Sequence, residues 1–143
     1  VKRIMFVCKK NSRRSQMAEG FARALGGDQV VVTSSGLEVS FVDPMTVTVM
    51  AEAGIDIRGQ ASKALGDFKA EDYDAVISLC GCGTNLPAAW VAQEIFEDWQ
   101  LDDPEGDGLE TFRRIRDEVR DQVEILLCNL GVPGPHRELE IAN

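Results

Sequence analysis

Short apolar runs alternate with longer amphipathic stretches along this chain of 143 residues. The first run, IMFV at 4–7, predicts a short buried strand over 2–7. Over 15–25, Met17, Phe21 and Leu25 recur at every fourth position, with Ala18 and Ala22 beside them. That spacing predicts a helix, and Gly26-Gly27 stops it. VVVT at 30–33 predicts a second strand. Pro44 opens a second helix that ends near Gly54 and carries Met45, Val49 and Ala53 on one face. DAVISL at 74–79 predicts a third strand ending directly at Cys80, and EIF at 94–96 a fourth.

The longest pattern spans roughly 107–130. Leu109, Phe112, Ile115, Val119, Val123, Leu126 and Leu130 make one apolar stripe. Cys128 falls opposite Val119, beside Asp117, Asp121 and Glu124, so it is expected to be exposed and without a role. From Gly131 to Asn143 the pattern stops, and Pro133 and Pro135 break the chain. This predicts one domain over 1–130 and a disordered tail over 131–143. Strands that alternate with helices define the α/β class, with a parallel four-stranded sheet. Ligands of such sheets sit outside the carboxyl ends of the strands. Cys8 and Cys80 both follow strands directly, so both belong to that edge.

Composition sharpens the picture at one place. The net charge is −9, yet residues 1–18 hold six cations and no acid, leaving the remainder at −15. An acidic whole argues against general nucleic-acid binding, whereas a local basic knot suits a small anion. No apolar stretch is long enough to span a membrane and no signal-peptide pattern is present, so a cytoplasmic protein is the expectation. The four cysteines are Cys8, Cys80, Cys82 and Cys128. A single residue between Cys80 and Cys82, and a lone His136, do not make a zinc site. Reactive thiols are left as the reading.

The knot is CKKNSRRS, Cys8 to Ser15, between strand and helix. There Cys8 meets unpaired backbone N–H groups and the positive end of a helix dipole, which both favour the thiolate. The loop Lys9, Lys10, Asn11, Ser12, Arg13, Arg14 can turn its amides inward around a tetrahedral oxyanion, with sulfur beneath. Arg14 clamps two oxygens through its planar fork, and Ser15 donates to the sulfur. Asn11 tolerates the left-handed backbone that so tight a loop demands.

Cys-x5-Arg-Ser after the first strand resembles the low-molecular-weight protein tyrosine phosphatase superfamily. The resemblance implies a general-acid Asp in an Asp-Pro step, which Asp103-Pro104 matches; Asp102 is its neighbour. LCGCGTNLP (79–87), NSRRSQMAEGFA, GIDI (54–57) and EIFEDWQLDDPEG are similar to the arsenate reductases built on this fold, over about residues 2–128. The C-G-C spacing resembles the cyanobacterial, glutathione/glutaredoxin-linked type. The resemblance implies that Cys8 attacks arsenate while Asp103 protonates the leaving oxygen. Cys80 then attacks the Cys8 sulfur, arsenite leaves, and Cys82 serves as the resolving thiol. The stretch 80–92 has to move for Cys80 to reach Cys8.

Two positions depart from the family pattern. Arg13 stands where a second Cys is usual, and adds positive charge. Lys63 stands where some reductases of this fold carry a carboxylate near a potassium ion, so a lysine ammonium replaces the ion and no metal is expected. Glu105 and Gly106 follow Asp103-Pro104 in place of the aromatic residues of tyrosine phosphatases. A carboxylate there repels an acidic phosphopeptide and favours a small inorganic substrate. The expected protein is a monomeric arsenate reductase without bound cofactor, regenerated by glutathione/glutaredoxin or thioredoxin. Weak phosphatase activity is expected beside it, and a tyrosine phosphatase is the alternative.

Overall fold

A computed structural model describes residues 1–79 and 86–132. Cys80, Cys82 and the segment from Pro133 onward lie outside the described residues. The elements are β1 (Lys2–Cys8), α1 (Arg14–Gly26), β2 (Val30–Gly36), α2 (Pro44–Glu52), β3 (Ala75–Ser78), α3 (Ala88–Val91), β4 (Ile95–Asp98) and α4 (Leu109–Asn129).

The four strands form one parallel sheet in the order β2-β1-β3-β4. The chain steps from β1 to one side and then returns to the other, so the order reverses between β1 and β3. The crevice beyond the carboxyl ends of these strands is where such sheets take ligands, and Cys8 ends β1 there. β1 is buried on both faces, which explains its continuous apolar run. Ile4 and Phe6 face the larger core with Met17 and Phe21 of α1, Val49 and Met50 of α2, and the stripe of α4. Met5 and Val7 face a smaller core with Leu65, Tyr73, Leu86 and Trp90. The sheet is therefore the middle of three layers.

Several boundaries differ from the sequence pattern. β2 continues past Thr33 through Ser34 and Ser35, which are fully buried. Polar residues can extend a buried strand when their hydroxyls are paired; Ser34 bonds Glu19, and Ser35 bonds the Met5 sulfur at 3.2 Å. On α4, Cys128, Asp117 and Asp121 are exposed, but Glu124 is buried. Arg120, one turn earlier, donates to it at 3.2 Å.

The expected tail does not begin at Gly131. Gly131 adopts φ +74° just past α4, its N–H bonds Cys128 O at 3.0 Å, and the Val132 N–H bonds Leu127 O at 2.9 Å. This pair of bonds closes the helix end, and Val132 packs into the larger core. The domain thus reaches at least Val132. Of the stretch expected to move, Leu86 and Trp90 are buried, and the Trp90 ring lies 5.7 Å from that of Tyr73. Among the described residues, no helix is long and apolar enough to cross a membrane.

Candidate active site

Cys8 leaves β1 and the loop 9–13 turns back so that α1 begins at Arg14. The turn is possible because Asn11 takes φ +50°, the one described non-glycine residue with positive φ. Three long-range backbone bonds pin the loop: Leu37 N to Cys8 O, Glu38 N to Lys9 O and Asp43 N to Ser12 O. Gly36 lies so close that a Cβ there would fall 2.8 Å from Asn11 N and 2.8 Å from Glu38 O. Only glycine permits this approach.

Within this frame is a cavity of about 190 Å³ lined by Cys8, Lys9, Lys10, Ser12, Arg13, Arg14, Asp103 and Glu105. Arg14 is buried; its Nη1 donates to Leu101 O at 2.9 Å and its Nη2 lies 3.5 Å from Asp103. Arg14 Nε and Ser12 Oγ are the two buried side-chain polar atoms, among the described residues, that have no hydrogen-bond partner. Leaving buried donors unpaired costs about 1–3 kcal/mol each. Two such atoms at one cavity, beside a thiol and surrounded by cations, are what a site shaped for an oxyanion presents.

The sulfur is under opposing influences. Burial pushes the Cys8 thiol above its ordinary value, and this effect outweighs the rest. The Arg14 guanidinium and the backbone N–H groups of Lys9 and Ser15 pull it down, while the Asp103 carboxylate pushes it up. The net direction is upward, against the thiolate expected from loop and dipole alone. That expectation counted the stabilising groups and left out desolvation.

The loop is supported from behind by a buried polar network. Asn11 Nδ2 donates to Ser15 Oγ at 2.8 Å and to Ser34 Oγ at 2.9 Å, and Asn11 Oδ1 accepts from Lys63 N at 2.8 Å. Ser34 Oγ donates to Glu19 Oε1 at 2.5 Å. Glu19 also meets Arg23 at 2.6 Å and the Lys63 ammonium at 3.5 Å. The bonds have one polarity, because a carboxylate only accepts. Ser34 and Ser15 both accept from Asn11, which leaves the Ser15 O–H to donate elsewhere. Ser15 therefore meets the sulfur through its backbone N–H, and its hydroxyl belongs also to this network.

The fold brings together most of the residues singled out in the sequence. Cys8, Lys9, Lys10, Ser12, Arg13, Arg14 and Asp103 line the cavity, while Asn11 and Ser15 support it from beneath. Asp102 turns away and meets Arg114 at 3.3 Å. The positive charge of Arg13 is not left free for an anion as expected. Its Nε donates to Asp43 at 2.8 Å, and its Nη1 lies 3.4 Å from Glu105 and 4.0 Å from Asp103. Sequence reasoning missed Glu19, Ser34, Gly36 and Asp43. Glu19, an acid amid Met17, Ala18, Gly20 and Phe21, was the available signal.

A parallel α/β sheet with a buried thiol and an arginine around an oxyanion cavity at its switch point defines the class: a thiol enzyme acting on tetrahedral oxyanions. The chain belongs to the low molecular weight phosphotyrosine protein phosphatase family, which it matches over residues 3–133. It is 58% identical over 131 residues to the glutaredoxin arsenate reductase of Synechocystis sp., covering 92% of this chain and 100% of that protein. Arsenate reductase 2 of Staphylococcus haemolyticus is 37% identical over 123 residues, covering 86% of this chain and 94% of that protein. A solved structure described as an arsenate reductase in the phosphate binding state superposes with a TM-score of 0.86 at 59% identity, over 90% of this chain and 98% of that one.

Proposed function

We infer the reaction from the cavity and the relatives together: the chain is an arsenate reductase. The observation that carries the reading is the cavity itself, which Cys8 lines together with the buried Arg14, whose Nε has no hydrogen-bond partner. Arsenate enters with its oxygens toward the loop amides, Arg14 and Ser12. The Cys8 thiol passes its proton to an oxygen of the bound arsenate, the sulfur attacks arsenic and forms an S–As bond, and Asp103 gives its proton to the departing hydroxyl oxygen, which leaves as water. The Ser15 hydroxyl, with its lone pair already engaged by Asn11, donates to the sulfur whenever that sulfur carries negative charge.

A second thiol completes the redox step. Cys80 attacks the Cys8 sulfur, the S–As electron pair passes to arsenic, and arsenic(V) leaves as arsenite. Two thiols have been oxidised to one disulfide and one arsenic centre has gained two electrons. Cys82 then takes over the disulfide, and a thiol reductant restores the pair. A bridge across a single intervening residue is strained and readily reduced. The glutathione/glutaredoxin system is the favoured donor, because the 58% identical relative is a glutaredoxin arsenate reductase; thioredoxin is the other candidate. The roles of Cys80 and Cys82 rest on LCGCG in the sequence. Lys63, whose ammonium lies 3.5 Å from Glu19, is the residue that the resemblance puts where some reductases of this fold carry a carboxylate near a potassium ion, and turnover without a metal remains part of the proposal.

The test mixes reduced protein with one equivalent of arsenate and no reductant, followed by thiol titration and intact mass. Loss of two thiols with matching arsenite release is expected, and peptide mapping then assigns the disulfide. Four unchanged thiols, with hydrolysis of an aryl phosphate, would leave a phosphatase instead.

A further inference from the structure

We propose that Glu105 determines specificity by barring the mouth of the oxyanion cavity, so that bare oxyanions enter and phosphate esters are turned away. The inference rests on the reading of the cavity as an arsenate site and adds the device that separates arsenate from the esters served by other members of the family.

Glu105 lines the cavity beside Asp103. Its backbone N–H bonds the Asp103 carboxylate at 3.1 Å. Its side chain pairs with two cations of the same lining: Oε1 meets Lys10 Nζ at 3.5 Å and Oε2 meets Arg13 Nη1 at 3.4 Å. Neither end is loose. Arg13 is held by Asp43 at 2.8 Å, and Glu105 stands at the second position of a turn closed by Asp107 N to Pro104 O at 2.8 Å.

In-line attack by Cys8 puts the leaving oxygen opposite the sulfur, on the side of Asp103. For arsenate that oxygen carries only a proton. For an ester it carries a carbon substituent, which must leave the cavity past residue 105. The substituent meets a carboxylate braced by two cations, and displacing it strips that carboxylate of its partners. An acidic peptide adds charge repulsion. Selectivity is thus built against the wrong ligand rather than for the right one. The bar lies at the rim: Lys10 is 40% exposed and Glu105 43% exposed, so salt weakens it.

The experiment measures kcat/KM for p-nitrophenyl phosphate hydrolysis and for arsenate reduction in the wild-type protein, Glu105→Gln and Glu105→Ala. The ester-to-arsenate ratio is expected to rise about tenfold or more in Glu105→Ala, with a smaller rise in Glu105→Gln, which keeps the bulk and loses the charge. Raising the salt concentration should lift the ratio in the wild-type protein and leave it level in the two variants. A ratio that stays constant or falls in both variants would overturn the proposal, as would a parallel fall of both activities, which marks Glu105 as support for Asp103. Failure of the wild-type protein to release arsenite would instead sink the reductase reading, whatever the variants do.

Discussion

At the residue scale, Cys8 illustrates how burial and charge compete for one proton. Burial raises the thiol, Arg14 and two backbone N–H groups oppose it, and Asp103 adds to the rise. A group raised on folding stabilises the protein while protonated. That contribution is complete below the ordinary value of 9.0 and is lost as pH climbs through the folded value. Alkylation of Cys8 by iodoacetamide, followed by peptide mass, is therefore expected to rise with pH without levelling off below 9.0. Asp103→Asn removes a carboxylate that pushes the thiol up, so its alkylation profile should move to lower pH. The same variant loses the general acid, and adduct formation with arsenate should slow by about 10²–10⁴-fold. Asp102→Asn touches only the exposed pair with Arg114 and should leave both readouts near wild type. An unmoved profile in Asp103→Asn would show that Asp103 does not act on the sulfur.

At the scale of elements, the β1–α1 turn depends on a backbone conformation and on the network that holds it. Asn11 meets both needs, with φ +50° and an amide that is donor to two serines and acceptor from Lys63. Asn11→Gly keeps the conformation and loses the bonds. Asn11→Ala loses both. Unpaired buried groups cost about 1–3 kcal/mol, so both variants should lower the urea midpoint. The left-handed strain of alanine adds roughly 1–2 kcal/mol, which is the expected gap between them. Equal midpoints would mean that the loop relaxes out of the left-handed region. The turn's place was legible in the sequence, because Cys8, Asn11, Arg14 and Ser15 are neighbours along the chain. Its support was not, because Asn11 and Ser34 are 23 positions apart and Asn11 and Lys63 are 52 apart.

At the scale of the molecule, two cores clamp the sheet, and the end of α4 closes the larger one. Val132 is 7% exposed and lies over the helix end through its bond to Leu127 O. Val132→Ala should cost roughly 1–3 kcal/mol by loss of buried contacts, read from the urea midpoint. Cutting the chain after Pro133 should leave that midpoint in place, whereas cutting after Leu130 removes the Gly131–Val132 closure and should lower it. A lower midpoint after the cut at Pro133 would assign a structural role to the last ten residues. The expected boundary at 130 came one motif too early. A glycine followed by an apolar residue, as at Gly131-Val132, is also how a helix is capped.

What the sequence determined by itself is local: four strands and their parallel class, the Pro44 start of α2, the thiol–arginine loop, and the exposure of Cys128. Each depends on residues within a few positions of one another, whose periodicity and backbone preferences act before any long-range contact forms. The tertiary structure decided which of two adjacent aspartates lines the cavity with Cys8, that Arg13 meets carboxylates, and that Glu105 pairs with a lysine 95 positions away. It also decided the direction in which the Cys8 proton is held. These outcomes follow from desolvation and from charges that meet only after the sheet has closed, and neither quantity is written in the order of residues along the chain.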